Sequence, residues 1–203
     1  MTLLKKVRYD AIINEAKGLF LENGIEGVTI ADIASHLSIG EASLYRYFGK
    51  KQKIIIEAGI ILWDEVYNEL LKKPVHLTGY ENIEAFYYFF LEVFEKHMPF
   101  YKFVNEFDLK AIQGMPLEEL REYEETILKF KEVFDRYYDM GIKDGSIKGS
   151  IDQSIFYYST SHSLLSLCKK LATQPQVLEY EQKIDKSSQI ECLITVCLQY
   201  IKK

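Results

Sequence analysis

The chain has 203 residues, 48% hydrophobic and 27% charged, with a net charge of −5, a composition suited to one large or two small globular domains. No apolar run approaches the roughly 20 residues a bilayer-spanning helix requires, and the first ten residues lack the apolar stretch and cleavage site of a signal peptide. Cys168, Cys192 and Cys197 stand at no metal-ligand spacing, so the expectation is a cytoplasmic protein with reduced, buried thiols, no zinc and no membrane partner.

In chain order, Tyr9–Leu21 places Ile12, Ile13, Ala16, Leu19 and Phe20 at the three/four spacing of a core-facing helix, and Asn23-Gly24 supplies a left-handed stop. Thr29 is an N-cap with Asp32 at the capping-box position, opening a short helix Ile30–His36. Leu37-Ser38-Ile39 reads as a tight turn, Gly40 opens a second short helix to about Tyr47, and Gly49 ends it. A longer helix follows from about Lys50 to Leu71, stopping before Pro74. Further helical patterns cover Asn82–His97, broken by Pro99, and Phe100–Ile112, ending near Gly114. Pro116 then fits the first turn of a helix to about Met140. Gly141, Gly145 and Gly149 punctuate a loop. Ile151–Ala172 and Ser187–Ile201 close the chain, separated by a polar link containing Pro175. No strand-like alternation, repeat or low-complexity tract is present, so the fold class is all-α.

The informative stretch is Gly27–Ile56, where two helices of about seven residues joined by a three- to four-residue turn make a helix-turn-helix. Ile30, Ile33 and Ala34 face inward, Ile39 plugs the turn and Leu44 packs the second helix on the first. That second helix is short enough to enter a major groove about 12 Å wide with its N-terminal residues at base edges. Charge agrees in sign. Residues 1–53 hold eight Lys/Arg and six acids, whereas the rest of the chain holds 17 and 24. A mildly basic head on an acidic body orients the molecule toward a polyanion. Such geometry also occurs in cores with no nucleic acid nearby, and Arg46, Lys50, Lys51 and Lys53 would then be a solvated face.

Leu19-Phe20, Gly24, Thr29, Ile33-Ala34, Leu44-Tyr45-Arg46-Tyr47-Phe48 and Lys51, within residues 8–56, resemble the tetracycline-repressor (TetR) family. The resemblance implies an N-terminal three-helix DNA-binding domain over residues 1–49. It also implies a helical ligand-binding and dimerisation domain over residues 50–203, about nine helices in all. It further implies that Glu41, Ala42 and Ser43 face base edges with Arg46 at or near them. Thr29, Tyr45 and Tyr47 would approach phosphates, and Lys51 would neutralise one. Three positions depart from the family pattern: its turn glycine is Ser38, its capping serine is Gly40, and its frequent reading-helix lysine is Glu41. An acid there can accept from a cytosine amino group.

The remainder is rich in aromatic residues: Phe86–Phe90 and Phe94, then Phe100, Tyr101, Phe103 and Phe107, then Phe130, Phe134, Tyr137 and Tyr138, then Phe156–Tyr158. These rings either fill a core or line a ligand cavity. If a cavity exists, Trp63, Phe90, Tyr101, Phe107, Tyr137 and His162 are the candidates, suiting an apolar or aromatic effector. His162 fits a ligand contact or a core or interface histidine equally well. Ile155, Leu164, Leu165, Leu167 and Leu171, then Ile190, Leu193, Ile194, Val196, Cys197 and Ile201, stripe the last two helices. Ser159, Ser163 and Ser166 allow close crossing, and in the family such helices form a homodimer interface.

The expectation is therefore a ligand-responsive regulator, a repressor released from a palindromic double-stranded DNA operator by a small molecule, with helix 50–71 as lever. The alternative is a DNA-organising or partner-binding helix-turn-helix protein without small-molecule control. No acid/base pair, phosphate loop or metal cluster marks an enzyme, and no cofactor, catalytic residue or metal ligand is assigned.

Overall fold

The computed structural model describes residues 2–111, 117–174 and 179–203, and its regular structure there is helical apart from one isolated bridge between Ile147 and Lys202. The first helix, α1 (Leu3–Gly27), buries Ile12, Ile13, Ala16 and Phe20, as the apolar spacing requires. It starts earlier than the pattern marks because its first turns bury nothing: Leu3, Leu4 and Val7 are 81%, 67% and 57% exposed. The helix breaks at Gly24 (φ 76°, ψ 161°), a conformation open to glycine, before a last turn through Ile25. A Cβ on Gly24 would also meet the Glu106 carboxylate at 2.9 Å.

Next come α2 (Ile30–His36) and α3 (Glu41–Phe48), then α4 (Lys51–Leu71), α5 (Gly79–Lys96) and α6 (Met98–Glu106), with Pro99 in the first turn of α6. A π-helical turn spans Phe107–Ala111. The remaining helices are α7 (Leu117–Asp144), α8 (Gln153–Thr173), a single turn α9 (Glu179–Gln182) and α10 (Lys186–Ile201). The expected boundary residues Ile112, Gly114 and Pro116, and the link residue Pro175, lie outside the described residues.

Two boundaries differ from the apolar pattern for identifiable reasons. α5 begins at Gly79 rather than Asn82, because Thr78 and Glu81 form a full capping box at its start. α7 runs through Gly141 to Asp144. Glycine is required at Gly141 for space and not for a turn: a Cβ there would lie 2.3 Å from Ile147 Cδ1. A Cβ on Gly79 would lie 2.0 Å from the Gly141 nitrogen, so the two glycines let backbone meet backbone. Asp144 fixes the junction by accepting from Gly79 N at 2.7 Å and Ser146 N at 2.8 Å. The turn is left to Gly145 (φ 78°).

The chain divides into two compact units, Met1–Glu65 with Lys102–Thr126, and Val66–Tyr101 with Ile127–Lys203. The first has a core of Ile13, Phe20, Ile33, Leu44, Ile54 and Ile56, continued by stacked Phe103, Phe107 and Tyr123. The second is built on rings: Phe86, Tyr87, Phe134, Tyr138, Phe156 and Tyr157 are buried edge-to-face or tilted against one another. Three of its buried phenols are hydrogen-bonded. Tyr87 Oη pairs with Thr160 Oγ1 at 2.5 Å, Tyr101 Oη donates to the Phe90 carbonyl at 2.8 Å, and Tyr138 Oη donates to the Ile151 carbonyl at 3.1 Å. α10 lies on α5 and α8. Cys168 is buried, which pushes its thiol up to about 12, whereas Cys192 is exposed and Cys197 half-buried, so only the first matches the expectation of buried thiols.

The substitution Gly79→Ala forces a Cβ into the Gly141 backbone. It is expected to lower stability to urea by about 1–3 kcal/mol, the usual range for overpacking a tight contact. An unchanged unfolding midpoint would contradict the close approach.

Candidate nucleic-acid interface

The 29–49 segment is held by its own termini. Thr29 Oγ1 accepts from Asp32 N at 3.1 Å while the Asp32 carboxylate accepts from Thr29 N at 2.7 Å, closing the box at the start of α2. The hydrogen bonds from Thr29 hold the Asp32 carboxyl below the usual carboxylate range. Ile30, Ile33 and Ala34 are buried. In the turn, Ser38 is the non-glycine residue with positive φ (54°) among the described residues. It occupies the place where the resembling family commonly has glycine, at a local cost of about 1–2 kcal/mol. Ile39 N donates back to the Ala34 carbonyl at 3.0 Å and Ser43 N to Gly40 O at 2.8 Å, so the chain enters α3 at a fixed angle without a side-chain cap.

α3 is attached along one narrow seam. Leu44 and Phe48, four apart, are its buried residues. Glu41, Ala42, Tyr45 and Arg46 are exposed, and Ser43 and Tyr47 half-buried. Arg46 Nη2 stands 3.4 Å from Ser43 Oγ. Gly49 (φ 71°) ends the helix and donates to the Tyr45 carbonyl. The residues expected to face bases therefore share one outward face of a short helix.

Behind this face a second junction fixes the end of α1. The Glu106 carboxylate accepts from Ile25 N at 2.6 Å, and Lys51 Nζ donates to the Ile25 carbonyl at 2.5 Å. Partial burial lowers the Lys51 ammonium, opposed by Glu26, Asp32 and Glu106. The neighbouring cations are also engaged: Lys50 with Glu119 at 2.8 Å, Lys53 with Glu57 at 2.6 Å, and Lys17 with Glu65. Sequence reasoning counted Lys50, Lys51 and Lys53 as a basic cluster. It could not see that Glu106 and Glu119, far along the chain, fold against it.

The comparisons with known proteins agree with this geometry. Residues 12–58 match the profile of the bacterial regulatory proteins of the tetR family. The biofilm operon icaADBC negative transcriptional regulator IcaR of Staphylococcus aureus (strain Newman) is 36% identical over 83 residues. That match takes in 41% of this chain and 44% of the relative, so the chain spans less than half of that protein. An HTH-type transcriptional regulator of S. aureus (strain USA300) is 25% identical over 164 residues, covering 75% of this chain and 82% of that one. The transcriptional regulator FadR of Bacillus subtilis, solved with stearoyl-CoA, shares the fold, with a TM-score of 0.60 at 17% identity over 94% of this chain and 97% of that one. The match to the tetR family is carried by residues 12–58, the segment that holds α2 and α3.

The aromatic residues expected to line an effector pocket do not gather in one compact unit. Trp63 and Phe107 lie in the first unit and meet at Tyr123: Trp63 Nε1 donates to Tyr123 Oη at 2.9 Å, and the Phe107 and Tyr123 rings stack with centroids 4.4 Å apart. Gly59 faces both rings, 3.1 Å from a Tyr123 carbon were it given a Cβ. Phe90 and Tyr101 are joined in the second unit, with Tyr137 half-buried on α7. His162 is exposed on α8, beside the Tyr158 ring. It shares a face with exposed Ile155, Tyr158, Ser159, Ser163 and Ser166, and α10 exposes Cys192, Val196 and Tyr200.

Asp32 gives this head an acid-sensitive element. Its depressed carboxyl contributes stability that is present above the ordinary carboxylate range and is lost as pH falls through the lower folded value. Compared with Asp32→Asn, the wild type is expected to melt higher at about pH 6. That gap should narrow as the pH falls below the ordinary carboxylate range and reaches the lower folded value. Melting curves that stay parallel down to that pH would contradict the capping-box pairing.

Proposed function

We propose that this TetR-family protein is a dimeric transcription repressor that reads an operator with α3 and is released by an apolar or aromatic small molecule. The observation that carries the reading is the exposed face of α3, held by a two-residue seam and a fixed turn, on a head matching the family profile. In this reading Glu41, Ala42, Ser43 and Arg46 meet base edges. Thr29, Tyr45 and Tyr47 approach phosphates, and Lys51 uses the hydrogens left over from the Ile25 carbonyl for another. Residues 1–49 form the DNA-binding part and residues 50–203 the effector and dimerisation part.

Repression is supported by likeness to IcaR, a negative transcriptional regulator, and effector control by the fold shared with FadR, solved with stearoyl-CoA. Dimerisation is supported by the unfilled face of α8 and α10, where Ile155, Val196 and Tyr200 are each more than 60% exposed. A second copy is what gives an eight-residue reading helix useful affinity. Release requires that the effector bind a conformation that mismatches successive major grooves, with coupling of about 1–3 kcal/mol. The Glu106–Ile25–Lys51 junction suits that task, since displacement of Glu106 frees the backbone just ahead of the helix-turn-helix.

Selection of bound DNA from a random pool tests the reading. A two-fold symmetric site is expected, its half-sites about 10 base pairs apart centre to centre or a multiple of that. Repeating the selection with Arg46→Ala is expected to change the preferred bases within each half-site. A pool that yields no enriched sequence overturns the operator reading and favours general DNA packaging.

A further inference from the structure

The electrostatic footprint of the head is not where the sequence puts it. Of the eight cations in residues 1–53, Lys17, Lys50 and Lys53 are paired with carboxylates, and Lys51 is tied to a backbone carbonyl. Among the described residues, Lys5, Lys6 and Arg8 have no carboxylate partner. All three are exposed on turns of α1 that add nothing to the core.

Their position is set by two ring contacts. Tyr9 packs on Phe48 with centroids 4.6 Å apart and planes 32° apart, and Lys5 Nζ lies 5.8 Å from the centroid of Tyr47. The first turns of α1 therefore run beside the C-terminal turn of α3. At 1.5 Å per residue, that turn stands about 10 Å behind Glu41. With Glu41 at base edges in a groove about 8.5 Å deep, the far end of α3 and the cations beside it arrive at the lip of the groove, where the phosphates are.

We infer that Lys5, Lys6 and Arg8 form a second DNA contact, gripping the sugar-phosphate backbone that flanks the groove entered by α3. This rests on the operator reading above and adds to it a contact outside the helix-turn-helix. Long cationic stems beside phosphates confer affinity and register but little base preference. The contact therefore anchors each half-site without choosing its sequence.

The test uses the full chain and the operator selected by the wild type. In the triple variant Lys5→Gln/Lys6→Gln/Arg8→Gln, the plot of log Kd against log salt is expected to flatten by about 0.9 unit per phosphate released. The selected sequence should be unchanged, and hydroxyl-radical protection should be lost at the outer edges of each half-site. The double variant Lys5→Arg/Lys6→Arg keeps the charge and should restore the wild-type slope, which separates charge from any effect on the helix. A triple variant with wild-type slope and footprint on a bound operator overturns this inference alone. A wild type that selects no DNA overturns the operator reading and this inference with it.

Discussion

The arrangement depends on the burial of Leu44 and Phe48 on one side of an eight-residue helix. A helix that short does not persist in water by itself, so α3 exists because this seam holds it, with α2 packed alongside and Tyr9 against Phe48. The seam is also narrow. Two apolar residues four apart leave the other faces of the helix to solvent, which is what a helix needs if it is to be both rigid and available. The capping box at Thr29, the strained Ser38 and the break at Gly24 all serve that one requirement, because each fixes the direction in which the chain enters or leaves the pair of helices.

Charge follows a similar division between holding and presenting. The cations of the α4 start are spent inside the first unit, where Lys50, Lys51 and Lys53 engage Glu119, the Ile25 carbonyl and Glu57. The Lys50–Glu119 and Lys53–Glu57 pairs add little stability at a surface, but they do neutralise charge that would otherwise face a polyanion. Among the described residues, Arg46 on α3 and Lys5, Lys6 and Arg8 at the start of α1 have no carboxylate partner, and Lys51 keeps hydrogens beyond its bond to the Ile25 carbonyl. The molecule thus separates the group that can read a base from the groups that can hold a backbone, and it does so on two different helices.

The short helices were legible in the sequence because their signals are local: Thr29 with Asp32, Gly40 and Gly49 each act within a turn of themselves. The start of α1 was not, because Leu3, Leu4 and Val7 are exposed and do not continue the stripe of Ile12, Ile13, Ala16 and Phe20 that marks the buried side of the helix. Gly141 misled because glycine serves two purposes, and here it makes room for Gly79 and Ile147 inside a helix. The basic cluster misled for a different reason. The acid that pairs with Lys50, Glu119, is brought in by a later helix, and no local pattern announces it. Among the aromatic residues, composition identified that rings dominate the second unit, but residue type does not say which neighbour a ring meets. Trp63 and Phe107 meet through Tyr123, a residue that no local pattern singles out. The α8 stripe named Ile155 together with Leu164 and Leu171, yet Ile155 faces solvent while the two leucines are buried, because the stripe covers more than one face of the helix.

The central claim is that the exposed face of α3 sits against base edges, twice per particle. Dimethyl sulfate protection on bound operator reads guanine N7 atoms in the major groove directly. Two protected segments one helical turn apart, or a whole number of turns apart, are expected, with protection inside each segment weakened when Arg46 is truncated. A single protected segment, or tight binding with every N7 left reactive, would contradict the account.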